Sequence, residues 1–266
     1  VFDWAHSFPL ANEKRIVHVG EDGRPDSAMR ALQEAAAYTT HPNEGVREFV
    51  RRAHVRPVEL SPATGWGSAA GEAAGEGALE FTMRIEPDRK SRYTKVEPLY
   101  ALLPKGADGY DHVLVFRSKG DAEPLLTCTP GEWTDWVVER FTADGEPVRA
   151  GLRAKLLILE PDGSRVQLYV SELYCQDDFV HPASYADRLR EACGPYIIQC
   201  SRQQVVTGGV SDVGTYFEEQ YYLADWYRRA ADELLHNEEW DLFMLKWHGP
   251  DWTNHLTMHM IDPRHP

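Results

Sequence analysis

Apolar and polar residues alternate along the middle of the chain, which is the pattern of strands that bury one face. Residues 78–86 show it most clearly, with every second residue apolar: Leu79, Phe81, Met83 and Ile85. Further strand-like segments follow at close spacing, at residues 110–117, 125–127, 134–141, 152–159 and 165–172. Pro-Asp-Gly-Ser at residues 161–164 predicts a hairpin turn between the last two. The alternation therefore predicts an antiparallel sheet of five or six strands.

Helical spacing replaces the alternation on both sides of this region. Residues 212–236 repeat apolar side chains at steps of three and four, which predicts the longest helix of the chain. Its expected core face consists of Phe217, Tyr221, Ala224, Tyr227 or Arg228, Ala231 and Leu234. Three shorter helices are predicted at residues 26–38, 44–52 and 184–193, and two strands at residues 1–5 and 14–20.

The order of these segments predicts a mixed fold, α/β with α+β character. An antiparallel region inside an otherwise α/β chain is typical of a cap inserted into a core domain. We predict a partial α/β core made from residues 1–56 and 212–266, with a mostly antiparallel cap of residues 57–211 between them.

The last thirty residues carry the chemistry. Residues 240–247 are apolar and aromatic, and Gly249-Pro250 follows, which predicts a buried strand and a tight turn. Asp251 and His255 stand four apart, so on a helix both side chains project from one face. A carboxylate and an imidazole placed in this way can bind one divalent cation, most naturally zinc, then manganese or iron. The same spacing also fits a capping aspartate followed by a solvated histidine.

Two further histidines lie close to this pair in the sequence. His259 is the next residue on the same helical face, and His248 comes just before the turn. Both are weaker ligand candidates, and His259 is expected at most to support the metal ligands.

Residues 240–266, with Val-Phe-Asp-Trp at residues 1–4 and Leu-Tyr-Val-Ser-Glu-Leu at residues 168–173, resemble a bacterial type I phosphodiesterase/nucleotide pyrophosphatase of the alkaline phosphatase superfamily. In that superfamily an Asp-x3-His pair after a core strand supplies two ligands of one metal in a two-metal site. By this resemblance Asp251 and His255 take those places, and the α/β core is alkaline-phosphatase-like. Only the Asp251/His255 motif is specific.

The chain departs from the family in several places. Family members carry a first metal-binding aspartate and a nucleophilic Thr or Ser near the amino end, and an Asp-His-Gly segment with a further His beyond a region like residues 240–266. None of these is found here. The chain is therefore interpreted as an internal fragment without a nucleophile. Alone it is expected to be inactive and to bind zinc weakly or not at all.

The resemblance implies metal-dependent hydrolysis of a phosphodiester or pyrophosphate bond in a small-molecule phosphate ester. Two zinc ions, or manganese or iron, would act in the intact protein. Two alternatives stay open. One is another hydrolase or mutase of the superfamily, acting on sulfate esters, phosphonates or sugar phosphates. The other is a non-catalytic binding module whose histidines are incidental.

Composition narrows the partners. Asp and Glu number 42 against 28 Lys and Arg, a net charge of −14, which argues against binding to nucleic acid or to an anionic membrane. The chain has no apolar run long enough to span a membrane and no signal peptide, and a cytoplasmic location is predicted.

Basic residues of the predicted sheet are a second, weaker hypothesis. Arg149, Arg153 and Lys155 lie close together in the sequence and are able to contact a substrate phosphate, although a solvated face is the more common role of such residues. Of the four cysteines, Cys193 and Cys200 could form a bridge, but reduced buried thiols are favoured.

Overall fold

The computed structural model describes residues 31–67, 70–87, 91–177, 179–180, 183–197, 203–245, 247, 249–261 and 264, and for residues 203, 204 and 259–261 the backbone alone. The helices and strands in these ranges are β1 (Ala31–Gln33), β2 (Ala36–Thr39), α1 (Glu48–His54), β3 (Val55–Pro57), β4 (Ser61–Pro62), β5 (Leu79–Met83), β6 (Leu99–Leu103), β7 (Val113–Phe116), β8 (Leu126–Cys128), β9 (Val137–Ala143), β10 (Glu146–Leu152), β11 (Ala154–Leu159), β12 (Val166–Val170), β13 (Leu173–Cys175), α2 (Tyr185–Cys193), α3 (Gln203–Thr207), α4 (Val213–Asn237) and α5 (Gly249–Ile261).

The described strands form three sheets. Their strand orders are β1-β13-β10-β9, β11-β12-β2-β3 and β4-β5-β6-β7-β8. Every pairing between these strands is antiparallel except that of β2 with β3. The described part of the chain is therefore a mixed α/β structure with mostly antiparallel sheets, as the pattern predicts.

The alternating segment and the hairpin are where the sequence predicts them. In β5 and just after it, Phe81, Met83 and Ile85 are buried on one face. Strands β11 and β12 pair from Ala154 opposite Val170 to Leu159 opposite Val166, and the predicted turn joins them. Gly163 in that turn has a φ of +75°, a conformation that glycine adopts without strain.

Strands β1 and β2 and the two residues between them occupy residues 31–39, so the predicted helix at residues 26–38 is wrong for the described residues. Strand β1 is hydrogen-bonded to β13, and β2 lies between β12 and β3. All four residues of β2 are buried. The high helix propensity of alanine is overridden here because small side chains let both faces of a central strand pack closely.

Helix α4 has the predicted extent but a different buried face. Asp212 caps it, its side chain accepting a hydrogen bond from the backbone N–H of Thr215 at 2.7 Å. Tyr221, predicted to face the core, is 72% exposed. The buried residues are Thr215, Tyr216, Glu219, Gln220, Leu223, Trp226 and Ala230. The predicted face is wrong because three of the buried residues, Thr215, Glu219 and Gln220, are polar and do not count in an apolar pattern.

Residues 240–247 do not form the predicted buried strand. The described residues of this segment have no regular structure, and their large apolar side chains are exposed: Trp240, Leu242, Met244, Leu245 and Trp247. A strand needs a neighbour to pair its backbone N–H and C=O groups, and no pairing with this segment is found among the described residues.

Several other predictions meet the structure at particular residues. Helix α2 confirms the predicted short helix and ends at Gly194. The helix predicted at residues 44–52 corresponds to α1, and of the two apolar residues expected to share its inner side, Val50 is buried and Phe49 is exposed. Cys128, Cys175 and Cys193 are buried. The strands predicted at residues 1–5 and 14–20, and the residues His248 and Cys200, lie outside the described residues.

The predicted division into a core and a cap stays a prediction. Strands β1 and β2, from the predicted core, are hydrogen-bonded to β13 and β12, from the predicted cap, and the boundary at residue 56 falls inside β3. None of the helices in the described ranges is both long and apolar enough to cross a membrane.

A substitution at Gly109 tests how the loop before β7 packs against the β11–β12 turn. Its φ is +107°, and a Cβ there would lie 2.2 Å from the carbonyl oxygen of Pro161. We expect Gly109→Ala to lower the free energy of unfolding by roughly 3 kcal/mol, from left-handed strain plus overpacking. Gly131, with a φ of +82° and open space around it, is the control. Gly131→Ala should cost only about 1–2 kcal/mol. Equal urea midpoints for the two variants would contradict this packing.

Two truncations test which face of α4 is buried. Leu223→Ala removes a buried side chain and should lower the free energy of unfolding by about 2–5 kcal/mol. Tyr221→Ala removes an exposed one and should change it by no more than about 0.5 kcal/mol. Chemical denaturation of both variants measures these two losses. A larger loss in Tyr221→Ala than in Leu223→Ala would support the buried face predicted from the sequence.

Candidate functional site

Helix α5 presents Asp251 and His255 on one face. Pro250 lies in its first turn, where a missing N–H costs no intrahelical hydrogen bond. Asp251 Oδ2 and His255 Nε2 are 3.7 Å apart, and their side chains are 63% and 61% exposed. The two predicted ligand residues therefore face each other at the protein surface.

The spacing of these two atoms fits a shared cation. Zinc bonds of about 2.1 Å in tetrahedral geometry place neighbouring ligand atoms about 3.4 Å apart. The observed 3.7 Å needs only a small side-chain rotation, which exposed side chains can make. One carboxylate oxygen and one imidazole nitrogen are also ligands that zinc prefers.

A second Asp-x3-His pair in the chain shows that the spacing alone does not produce this arrangement. Asp232 and His236 stand four apart on α4, and both are exposed. The carboxylate of Asp232 accepts a hydrogen bond from Arg228 at 3.1 Å. His236 Nδ1 lies 2.8 Å from the backbone carbonyl oxygen of Asp232. These two side chains are engaged with other groups, whereas those of Asp251 and His255 meet.

The opposite side of α5 holds the helix in place. Leu256 is buried, and Trp252 packs against a small cluster formed by Ile197 and Leu223. Trp136 and Tyr222 pack against the same cluster. Trp252, the residue after Asp251, thus anchors the helix to Leu223 of α4 and to Ile197.

No complete metal site is present among the described residues, which contain no group of three or more His, Cys, Asp or Glu that could hold a metal ion. Asp251 and His255 are the two predicted ligands that the structure describes. The side chain of His259 and the whole of His248 are outside what the structure describes, so their predicted roles stay predictions.

Of the three basic residues predicted from the sheet, two are engaged with carboxylates. Arg149 pairs with Asp177 and Asp187. Lys155 is buried and donates to Glu218 at 2.6 Å.

Arg153 differs from both because aromatic rings enclose its guanidinium. Its Cζ lies 4.1 Å from the ring centroid of Trp133, 4.8 Å from that of Tyr222 and 5.0 Å from that of Trp136. We call these four side chains the Arg153 cage. Rings at these distances attract the cation through their negative faces.

Burial dominates the electrostatics of the cage. Desolvation lowers the pKa of Arg153, and the attraction of Glu219 and Glu218 offsets this only in part. Desolvation also raises the pKa of Tyr222, while Arg153 acts in the opposite direction. The guanidinium is therefore a cation in a poorly solvated place whose charge its neighbours do not fully compensate.

Sequence reasoning identified Arg153 but missed the cage. Trp133 and Trp136 lie three apart just before β9, a spacing that carries no recognised chemistry. Tyr222 comes from α4, about ninety residues later, and the sequence has no signal that joins the two segments. Comparisons of the chain with protein-family models, with curated proteins and with solved structures found no match.

The incomplete ligand set predicts weak zinc binding by this chain. With two ligands in place, we expect a dissociation constant weaker than about 1 μM in calorimetry with chelator-treated protein. Whatever zinc binds should be lost in Asp251→Ala and His255→Ala.

Asp232→Ala and His236→Ala are the matched controls and should leave any zinc binding unchanged. Nanomolar affinity would contradict the two-ligand interpretation and indicate a complete local site. A loss of binding in the controls rather than in the α5 variants would move the site to α4.

Proposed function

We propose that this chain contributes to a metal-dependent hydrolase of phosphodiester or pyrophosphate bonds. The observation that carries the proposal is the pair of ligand atoms on α5, Asp251 Oδ2 and His255 Nε2, 3.7 Å apart and open to solvent. The resemblance of residues 240–266 to type I phosphodiesterases adds the reaction and the alkaline-phosphatase-like core. The core and cap arrangement of residues 1–56, 57–211 and 212–266 is part of the same proposal.

In this proposal Asp251 and His255 hold one of two divalent cations, zinc in the first place and manganese or iron as alternatives. A bound cation would act as a Lewis acid toward a phosphoryl oxygen. Asp251 contributes the negative charge of the ligand set, and His255 contributes a neutral nitrogen at a position fixed by the helix. The remaining ligands and the nucleophile are not assigned to residues of this chain.

The partners and location follow the same proposal. The substrate is a small phosphate ester, and neither nucleic acid nor a membrane is a partner. The net charge of −14 supports this, because a polyanion would be repelled. A cytoplasmic location stays a prediction.

The test is hydrolysis of an aryl phosphodiester, bis(p-nitrophenyl) phosphate, by the natural protein that contains this sequence, with zinc or manganese added. Removing a residue that only supports a metal ligand already costs about 10–100-fold in activity. We therefore expect Asp251→Ala and His255→Ala, which remove proposed ligands, each to reduce kcat/KM by more than about a hundredfold. Asp232→Ala is the matched control and should keep full activity. Full activity in the two α5 variants would refute the proposal.

The alternative functions within the superfamily are distinguished by the substrate that is hydrolysed fastest. The same assay with p-nitrophenyl sulfate, a phenylphosphonate and a sugar phosphate should show lower kcat/KM than with the phosphodiester. A higher value for one of them would reassign the substrate class while keeping the ligand roles. No metal-dependent turnover of any of them would favour the non-catalytic binding module.

A further inference from the structure

Three N–H donors of the Arg153 cage have no acceptor. The atoms are Nε and Nη2 of Arg153 and Nε1 of Trp136, and all three are buried without a hydrogen-bond partner in the part of the chain that the structure describes. A buried donor left unpaired is costly, and more so when it is charged. Unpaired groups of this kind call for a specific explanation when several occur together.

The two Arg153 atoms form one edge of the guanidinium. Nε and Nη2 are the side-on edge that binds a carboxylate or a phosphate through two parallel hydrogen bonds. The rings of Trp133, Trp136 and Tyr222 surround the group. The Tyr222 hydroxyl donates to the backbone carbonyl oxygen of Pro195, and neither Nε nor Nη2 of Arg153 has a hydrogen-bond partner among the described residues. The backbone N–H of Arg153 donates to Ser171 Oγ at 3.0 Å, which fixes the start of the side chain.

The neighbouring carboxylates do not fill this place. Glu218 Oε2 accepts hydrogen bonds from Lys155 Nζ at 2.6 Å and from Trp133 Nε1 at 2.7 Å. Glu219 Oε2 accepts one from the hydroxyl of Tyr169 at 3.0 Å. Burial lowers the pKa of Arg153, and both acids act in the opposite direction.

Three donors and one cation call for an acceptor that carries negative charge. We propose that the Arg153 cage is an oxyanion-binding site, in which the Nε/Nη2 edge of Arg153 and the indole N–H of Trp136 donate to a phosphate or carboxylate group of a ligand. Arg153, Trp133, Trp136 and Tyr222 each keep part of their surface exposed. The three donor atoms themselves are buried, so binding requires a cage side chain to rotate and expose them.

The cage lies close to helix α5. Trp136 and Tyr222 pack against the Ile197 and Leu223 cluster, and so does Trp252, the residue after Asp251. The oxyanion site does not rest on the metal proposal, because none of its donors is a metal ligand. If both proposals hold, a phosphate ester has two separate recognition points on this side of the molecule.

The probe is inorganic phosphate, titrated into the protein with EDTA present, with acetate in a second series. The readouts are the indole N–H resonance of Trp136 and the Nε–H resonance of Arg153 in nitrogen-15 spectra. The chain has eight tryptophans, so Trp136→Phe assigns the indole signal by its disappearance. We expect a saturable shift of both resonances with a dissociation constant on the order of 1 mM.

Arg153→Gln should weaken phosphate binding at least about tenfold, as for loss of a charge-assisted bidentate contact. Arg153→Lys keeps the charge without the fork and should weaken it about threefold. Arg140→Gln is the matched control, since Arg140 is exposed on β9, and it should bind as the unaltered protein does. If Arg153→Gln does not fold, as seen by circular dichroism, Arg153→Lys and Trp136→Phe carry the test.

Each outcome of the titrations either supports the proposed oxyanion site or overturns it. Saturable shifts with phosphate support a phosphate site, and saturable shifts with acetate alone support a carboxylate site. The absence of shifts with both anions overturns the proposal, as does unchanged affinity in the Arg153 variants. Asp251→Ala and His255→Ala should keep anion binding in EDTA, so a failure of the metal proposal leaves this test unaffected.

Discussion

The polar contacts that hold α4 against β11 and β12, with Lys155, Tyr169 and Glu219 buried, are the constraint on which the candidate sites depend. Lys155 on β11 donates to Glu218, and Tyr169 on β12 donates to Glu219. A buried charge that loses its partner typically costs about 3–5 kcal/mol. These contacts therefore oppose any rotation of α4 that would separate them, and they define which of its faces meets the sheet.

The observed orientation of α4 places two of its residues, Tyr222 and Leu223, in different surroundings. Tyr222 comes next to Arg153 and Trp136, and its hydroxyl donates to the backbone carbonyl oxygen of Pro195. Leu223 enters the cluster on which Trp252 rests. One helix thus closes the Arg153 cage and supports α5, so the anion site and the Asp251/His255 pair share a structural foundation. A change in the α4 face would disturb both, even though no residue of α4 is a proposed metal ligand.

The segment between α4 and α5 contrasts with the helices on either side of it. Met244 is 83% exposed and Leu242 is 76% exposed, although each would stabilise the fold by about 1.5–3 kcal/mol if buried. Five large apolar side chains are exposed along this segment. Helix α5, by comparison, is anchored by Trp252 and Leu256, so the ligand pair is held more firmly than the segment that leads to it.

The sequence by itself determined the features that depend on neighbours along the chain. Alternation predicted β5, the Pro-Asp-Gly-Ser turn predicted the β11–β12 hairpin, and the four-residue step put Asp251 and His255 on one face of α5. Tertiary structure decided the rest, because contacts between distant segments compete with local preference. Buried sheet neighbours made β1 and β2 strands despite their alanines, and polar partners on the sheet selected a face of α4 that an apolar count overlooks. The Arg153 cage belongs to the same class, since Trp133 and Tyr222 come from distant segments and both lie against Arg153 only in the folded chain.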